Sequence, residues 1–222
     1  MEIFKITTII FAIGLIIASI LLVINLDGNE DTSETNQELI SLKADLQDKI
    51  NKLSEKSEEL NMSESFLNSY LNGLGMYYTA LEFHDNVTYK YDQAQERYQS
   101  GHWSNSLAWF WDTSDWCEYT KNKYQEASDV FIEAMKNTTN NNYEDICNIY
   151  ANMMNVSSIA IIYLNEACDL YADSCEFYLD GDYDGAHESK DNAVIKISYY
   201  DEQIDIFNDY QLELKNILMN VN

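Results

Sequence analysis

No proline occurs among the 222 residues of the chain, where average usage would supply about 5%. Proline is the commonest interruption of a helix, because its ring removes a backbone hydrogen bond and clashes with the preceding turn. Glycine, the next most disruptive residue, occurs only seven times. The chain is therefore free to form long helices, and its hydrophobic fraction of 46% is enough to give them a core.

The N-terminal segment differs in kind from the rest. Residues 6–26 carry no charge, and about 20 apolar residues are what a helix needs to cross a bilayer. A cleaved signal peptide is the alternative, but the run exceeds the usual h-region of about 7–15 residues and no A-x-A-like site follows it. Lys5 precedes the run, and only acidic charges follow it until Lys43. The positive-inside rule thus predicts a single-pass anchor in the cell membrane, with residues 1–5 cytoplasmic and the C-terminal domain extracytoplasmic.

Two segments of different pattern follow the predicted anchor. Residues 27–36 are polar, acidic and without periodicity, which is typical of a flexible linker. Leucine then recurs at every seventh position, as in one seam of a coiled coil. These leucines are Leu39, Leu46, Leu53, Leu60, Leu67, Leu74 and Leu81. Because lysines occupy companion positions at Lys49 and Lys56, residues 37–71 are predicted to form either a coiled-coil stalk or a single marginal helix.

An internal repeat at an offset of 80 residues marks two sharp turns, which we call the first corner (residues 94–108) and the second corner (residues 174–188). The matched pairs are Glu96 with Glu176, Tyr98 with Tyr178, Gly101 with Gly181 and Trp103 with Tyr183. Each corner is flanked by helical periodicity, so a left-handed glycine is predicted to end one helix just before the next begins. The GDY..A form of the second corner resembles the turn between the two helices of a tetratricopeptide repeat. Because the flanking helices are far longer here, the resemblance implies shared turn chemistry alone.

The asparagine-rich stretch 137–145 supplies a third connection. Four helices result, at about 62–99, 103–136, 143–179 and 183–220, with a bend expected at the glycine pair 73 and 75. The predicted fold class is therefore all-α: an N-terminal transmembrane helix, a coiled-coil stalk and an antiparallel four-helix bundle made of two long αα-hairpins. The bundle domain occupies residues 72–222, and residues 62–71 lead into it.

The second corner also carries the pattern of a calcium loop. Acids stand at positions one, three, five and twelve of that pattern, and glycine stands at position six. The candidate ligands are Asp180, Asp182, Asp184, Glu188 and Asp191. Position twelve is aspartate rather than the usual bidentate glutamate, and acids are favoured at a helix start by the macrodipole in any case. The helix corner is the preferred interpretation, calcium or another hard cation is the alternative, and no other cofactor is expected.

Acidic residues dominate the predicted bundle. Residues 62–222 hold 27 Asp or Glu against 8 Lys or Arg, which is a net charge of −19 out of −25 for the whole chain. Such a charge repels nucleic acid and anionic lipid. We interpret it chiefly as the solubility of a surface domain, with capture of cations or of a basic partner as the alternative.

The four cysteines form no C-x-x-C pair, so a zinc site is not indicated. Cys168 and Cys175 are about 10 Å apart along one helix, which is too far for a disulfide. Antiparallel packing about residue 141 brings Cys117 level with Cys168. This pair is the predicted disulfide, and buried free thiols are the alternative.

Two apolar stripes lie off the main helix seams. The tryptophan stripe of the second helix consists of Trp103, Leu107 and Trp111, and the isoleucine–tyrosine stripe of the fourth consists of Ile195, Tyr199, Ile206, Tyr210 and Ile217. Such a stripe needs another neighbour, either inside the bundle or on another molecule. We expect internal packing for the tryptophan stripe, and contact with a second copy or an envelope partner for the other.

Catalytic signatures are absent from the sequence. It contains no P-loop, nucleophile elbow, zinc-protease or dinucleotide-binding motif, and its three histidines are far apart in the chain. The predicted function is that of a non-enzymatic, surface-displayed structural or interaction protein of a microbial envelope. An extracytoplasmic sensor of a ligand or cation, acting through a partner protein, is the alternative, and a pilin-like filament subunit is a third.

Overall fold

The computed structural model describes residues 32–220, and these residues form four helices without a strand. Helix α1 spans Thr32–Gln99, α2 Trp103–Lys136, α3 Asn141–Asp180 and α4 Tyr183–Asn220. The predicted all-α class is confirmed. The predicted bounds of the second and fourth helices are those observed. A glycine corner precedes the start of each, and α2 ends at the asparagine-rich connection.

The predicted membrane anchor at residues 6–26 and the predicted cytoplasmic residues 1–5 lie outside the described residues. Of the predicted linker, residues 32–36 already belong to α1, which begins five residues earlier than the predicted stalk. These five residues contain neither glycine nor proline, so nothing in them opposes a helix. The predicted stalk, residues 37–71, is helical throughout, whereas its pairing in a coiled coil stays a prediction.

The chain divides into one compact unit that begins at Met62 and another that ends at Asn61. In the unit that ends at Asn61, the side chains of residues 47–61 are exposed almost throughout. Among them are Leu53 and Leu60, which are 49% and 62% exposed. This part of α1 therefore presents its heptad leucines to solvent.

The unit that begins at Met62 is organised around α3. Seventeen residues of α3 are buried, against ten of α2. On one side, Ser114 of α2 donates a hydrogen bond to Asn165 of α3, and on the other side Lys196 of α4 pairs with Glu166 of α3. Helix α3 is also long and apolar enough to span a membrane, but 61% of its most apolar window is buried, as in the core helix of a bundle.

Helix α1 closes this core through contacts with the other three helices. The Tyr98 hydroxyl lies 2.7 Å from the Ser174 hydroxyl of α3. At Gly73, the Phe131 ring of α2 comes so close that a Cβ would lie 2.9 Å from it. Helix α1 is continuous across this glycine, and the close approach of Phe131 explains why glycine stands there. The bend predicted at residues 73 and 75 stays a prediction. The packing of the four helices supports the predicted bundle.

The two corners have the same backbone geometry. Gly101 and Gly181 have φ values of 73° and 79°, in the left-handed region that glycine adopts without strain. In the first corner the His102 N–H donates to a carbonyl oxygen five residues earlier, at 2.9 Å, and in the second the Asp182 N–H does the same. Both corners are therefore Schellman-type helix ends, as the repeat predicts.

Small residues close each corner through a buried hydrogen bond. In the first corner the Ser106 hydroxyl donates to the Ala94 carbonyl at 2.7 Å, and in the second the Ser174 hydroxyl donates to the Ala186 carbonyl at 2.7 Å. In the repeat, Ala94 matches Ser174 and Ser106 matches Ala186. The donor serine therefore follows the glycine in the first corner and precedes it in the second. Both solutions hold two helix backbones close together.

Candidate functional site

The acidic residues of the second corner lie where α3 ends and α4 begins. Helix α4 begins at Tyr183, so Asp184, Glu188 and Asp191 lie on the helix rather than along a loop. The Asp182 carboxylate accepts a hydrogen bond from the Gly185 N–H at 3.1 Å. Within residues 32–220, no group of three or more His, Cys, Asp or Glu side chains is arranged to hold a metal ion. The geometry favours the helix corner, with Asp180 as the last residue of α3.

The cysteines of the predicted disulfide are neighbours in the core. Cys117 and Cys168 are fully buried and lie within hydrogen-bonding reach of each other, both as free thiols. Burial, and then the nearby Cys117, raise the pKa of the Cys168 thiol. Burial also raises the pKa of Cys147 and of Cys175 to about 11. The sequence thus identified the correct neighbours, and the raised pKa values of Cys147, Cys168 and Cys175 favour the unreactive protonated form of these three thiols.

The tryptophan stripe divides into an internal part and an exposed part. The Trp103 ring stacks on the Tyr178 ring, with centroids 4.1 Å apart. Leu107 is half-buried and packs against the core cluster that contains Tyr98 and Phe110. Trp111, in contrast, is 52% exposed. Internal packing, the expected outcome, is therefore found for the first two residues and not for the third.

Two other tryptophans of α2, Trp109 and Trp116, form cation–π contacts that sequence reasoning missed. The Lys90 ammonium group lies over the rings of both Trp109 and Trp116, at 5.6 and 5.4 Å, and forms an ion pair with Asp112. The Arg97 guanidinium covers Trp109 as well, at 4.8 Å. The spacing of seven between the two tryptophans was the available signal. The arrangement joins α1 to α2 and is structural.

The isoleucine–tyrosine stripe is exposed over its first part only. Ile195, Tyr199 and Ile206 are exposed, whereas Tyr210 and Ile217 are half-buried against the core. The Tyr199 ring packs against Tyr163 of α3, and α3 adds two further exposed isoleucines. These are Ile159 and Ile162. An apolar surface therefore runs along the outer side of the α3–α4 pair.

A half-buried histidine, His84, links three helices in the middle of the unit. The Nδ1 atom of His84 is 2.7 Å from the Tyr124 hydroxyl of α2, and its Nε2 atom is 2.9 Å from the Tyr200 hydroxyl of α4. A neutral imidazole has one donor and one acceptor nitrogen, so it satisfies both tyrosines at once. Burial lowers the pKa of His84, and the nearby Asp85 carboxylate opposes this shift. These hydrogen bonds connect α1 to both α2 and α4.

The described part of the chain also has an open groove of about 690 Å³ between α1, α3 and α4, which we call the tyrosine groove. It is lined by Tyr77 and Tyr78 of α1, by Tyr150 and Met153 of α3, and by seven residues of α4 between 208 and 219. The Met153 side chain is buried and forms part of the floor, together with the Tyr77 ring. A volume of this size lies in the range of small-molecule sites, about 300–1,000 Å³.

The walls of the tyrosine groove are apolar and exposed. Leu212, Leu218 and Met219 are 59%, 49% and 63% exposed. Among the described residues that line the groove, Lys215 is the one charged side chain, and none is Asp or Glu. Sequence reasoning missed this site, because it is made by residues from three helices and no single segment carries a motif for it.

No protein-family model matches the chain, and no curated protein or solved structure matches it either. Its function must therefore be inferred from its own residues.

Proposed function

We propose that the chain is a single-pass, membrane-anchored protein of a microbial envelope, whose helical domain is displayed outside the cytoplasm and works by contact, without catalysis. The observation that carries this proposal is the uncharged run at residues 6–26, in the same chain as an acidic helical domain with an exposed apolar surface. The run suits a membrane helix. The apolar surface of the α3–α4 pair suits a protein contact.

The proposed architecture is an anchor, a linker, a stalk and a four-helix bundle. The exposed heptad leucines Leu53 and Leu60 favour a stalk that pairs with a second copy. In such a pair the leucines of the two copies would pack against each other along one seam. Two ion pairs one helical turn apart, Lys49 with Asp45 and Lys52 with Asp48, favour the alternative of a single helix. Exposed pairs of this kind contribute only about 0.3–0.5 kcal/mol each, so they do not outweigh a seam of leucines.

Membrane attachment and orientation are tested on intact cells. The full chain is expected to float with membranes and to resist carbonate extraction, and protease added outside is expected to degrade residues 32–220. A chain recovered in the soluble fraction without its first residues, or protected until the cells are lysed, would contradict the proposal. Insertion of two arginines between residues 6 and 26 is the matched control, because each costs about 2.5–3.5 kcal/mol in a membrane and should abolish attachment.

The contact surface is tested by the mass of the full chain in neutral-lipid nanodiscs or detergent. If the isoleucine–tyrosine stripe holds a second copy, Ile195→Glu and Ile206→Glu should shift the assembly towards the monomer. Ile132→Glu is the matched control, because Ile132 is a similarly exposed isoleucine on α2, outside the stripe. An unchanged assembly in the stripe variants assigns this surface to an envelope partner instead of a second copy.

The second candidate function is an extracytoplasmic sensor that works through a partner protein. The tyrosine groove favours it, because a scaffold has no need of an open concave site of about 690 Å³. Its cation-sensing form is tested by calorimetric titration of calcium into the full chain and into Asp182→Asn. Heat that disappears in the variant would establish a calcium site at the second corner, and absence of heat would restrict the sensor hypothesis to the groove.

A further inference from the structure

We infer that the tyrosine groove binds a small anionic amphiphile, which is an organic molecule with one apolar arm and one carboxylate-type headgroup. This goes beyond the contact function proposed above and does not depend on it. All of the residues that carry it lie in the compact unit that begins at Met62.

The charge of the groove is the reverse of that of the chain. Asp and Glu outnumber Lys and Arg by 38 to 13 over the sequence, and yet no carboxylate is among the described lining residues, whereas Lys215 is. The net negative charge of the chain in general repels an anion. Here the Lys215 ammonium group stands beside an apolar surface. No Asp or Glu among the described lining residues competes with an anionic ligand for it. The pairing of one cation with apolar walls fits a ligand that has one anionic end.

The floor of the groove suits an apolar arm. Tyr77 and Leu214 are each 7% exposed, and Met153 is 1% exposed. The Tyr77 ring meets the Tyr150 ring edge to face, with centroids 5.7 Å apart. An arm lying on these side chains gains about 25 cal/mol for each Å² of apolar surface that it removes from water. The exposed Leu218 side chain stands at the rim and can cover the arm.

Hydroxyl groups on the floor can serve only as neutral partners of an anion. A tyrosine hydroxyl is already protonated at neutral pH, and burial raises the pKa of the Tyr77 and Tyr150 hydroxyls further. A protonated phenol donates a hydrogen bond to a carboxylate, whereas a phenolate would repel it. The amide of Gln211, which lies within reach of the Tyr77 hydroxyl, adds a further donor.

The test uses the full chain in phosphatidylcholine nanodiscs and a decanoate probe that carries a photoreactive diazirine in its chain. After irradiation, the labelled peptides are identified by mass spectrometry, so that probe dissolved in lipid is not counted. Label is expected on the peptides that contain Tyr77 and residues 212–219. Unlabelled decanoate should compete, decyl phosphate should compete to a similar degree, and decyltrimethylammonium should not. Equal competition by the cationic amphiphile, or label spread evenly over the helices, would overturn the inference.

Variants separate the headgroup from the arm. Lys215→Glu is expected to reduce labelling about tenfold, because it replaces the ammonium partner of the headgroup with a carboxylate that repels it. Lys215→Arg should preserve it. Lys190→Glu makes the same change of charge on α4 but about 37 Å along the helix, and it should leave labelling unchanged. Labelling that survives Lys215→Glu in a normally folded protein would refute the assignment of the headgroup.

The apolar wall is tested by Leu218→Gln, which keeps the size of the side chain and makes it polar. This variant should weaken labelling severalfold, and Leu179→Gln, an equally exposed leucine at the other end of the unit, should not. A second copy is the competing occupant. In that case the full chain would be a dimer whose groove residues are labelled less as protein concentration rises, and this outcome would also overturn the inference.

Discussion

The two ends of the compact unit that begins at Met62 are built on opposite principles. At the end with the corners, pairs of small residues let helix backbones approach, as Ser106 does with Ala94 and Ser174 does with Ala186. At the other end, large side chains from three helices face one another and leave the open tyrosine groove. The same four helices are therefore closed at one end and open at the other, because side-chain size decides how near two helices can come.

Aromatic rings support this difference. Near the corners, Tyr98 is surrounded by Trp103, Tyr171 and Tyr178, and Phe110 stacks on Tyr171 with ring centroids 5.1 Å apart. Tyr98, Phe110 and Tyr171 are buried there. In the groove, the Tyr78 ring is 66% exposed. The closed end contributes to stability, and the open end is available for binding.

The largest effect is expected from removing a ring at the closed end. Phe110→Ala should lower the free energy of unfolding by about 3–5 kcal/mol, because Phe110 is fully buried and its neighbours cannot collapse into the space. Chemical denaturation of the full chain, followed by circular dichroism, measures it. Leu212→Ala at the open end is the control and should change stability by less than about 0.5 kcal/mol. Equal losses at the two ends would remove the distinction between them.

The next effect tests the hydrogen bond that closes the second corner. Ser174→Ala should cost about 1–3 kcal/mol, because it leaves the buried Tyr98 hydroxyl and the Ala186 carbonyl without their partner. Ser106→Ala deprives the Ala94 carbonyl of its donor but leaves no tyrosine hydroxyl unpaired, so it should cost less. The same denaturation measurement compares them. A larger loss of stability for Ser106→Ala than for Ser174→Ala would contradict this prediction.

A pair of glycines inside α1, near the open end of the unit, should respond with opposite signs. Gly75→Ala should stabilise the protein by about 0.5–1 kcal/mol, since nothing lies within 4 Å of its added Cβ and alanine is the better helix former. Gly73→Ala should destabilise it, because the new Cβ would lie 2.9 Å from the Phe131 ring. Each variant is the control of the other. Stabilisation by both would mean that the Phe131 ring moves aside without cost.

The smallest effect is expected from protonating His84, which lies between the closed end and the open end of the unit. Burial holds the pKa of His84 below its ordinary value of about 6.5, so the unfolded chain takes up the proton first as pH falls. The stability contributed by neutral His84 is complete above about pH 6.5 and is lost as pH falls from there through the folded-state pKa. Since carboxylates titrate as well, the measured quantity is the difference between wild type and His84→Gln. A difference that does not change between pH 7.5 and 5.5 would contradict the prediction.

Local signals account for the parts of the fold that the sequence predicted well. A glycine in a Schellman-type turn is defined within about six residues, so Gly101 and Gly181 placed the ends of α1 and α3 and the starts of α2 and α4 to within a residue. The contact between Cys117 and Cys168 followed from counting residues away from one connection. The packing at Gly73 could not be predicted from local signals, because it depends on the position of Phe131 on another helix.

The candidate site was beyond this kind of reasoning. Tyr77, Tyr150 and Lys215 are far apart in the chain, and each reads by itself as an ordinary helix residue. The exposure of Trp111 and the burial of Trp103, two residues of one stripe, were likewise not distinguishable from spacing. Spacing specifies the face of a helix, and it does not specify what that face meets.

By itself, the amino-acid sequence determined that this protein is helical, acidic and folded back at two glycine corners, because helix propensity, charge and left-handed glycine are properties of short segments. Only the tertiary structure decided which end of the unit is closed, where His84 finds its two tyrosines, and that a groove with no Asp or Glu among its described lining residues opens beside Lys215. The physical reason is that these features depend on distances between helices, and such distances are set by the packing of side chains that are remote in the chain.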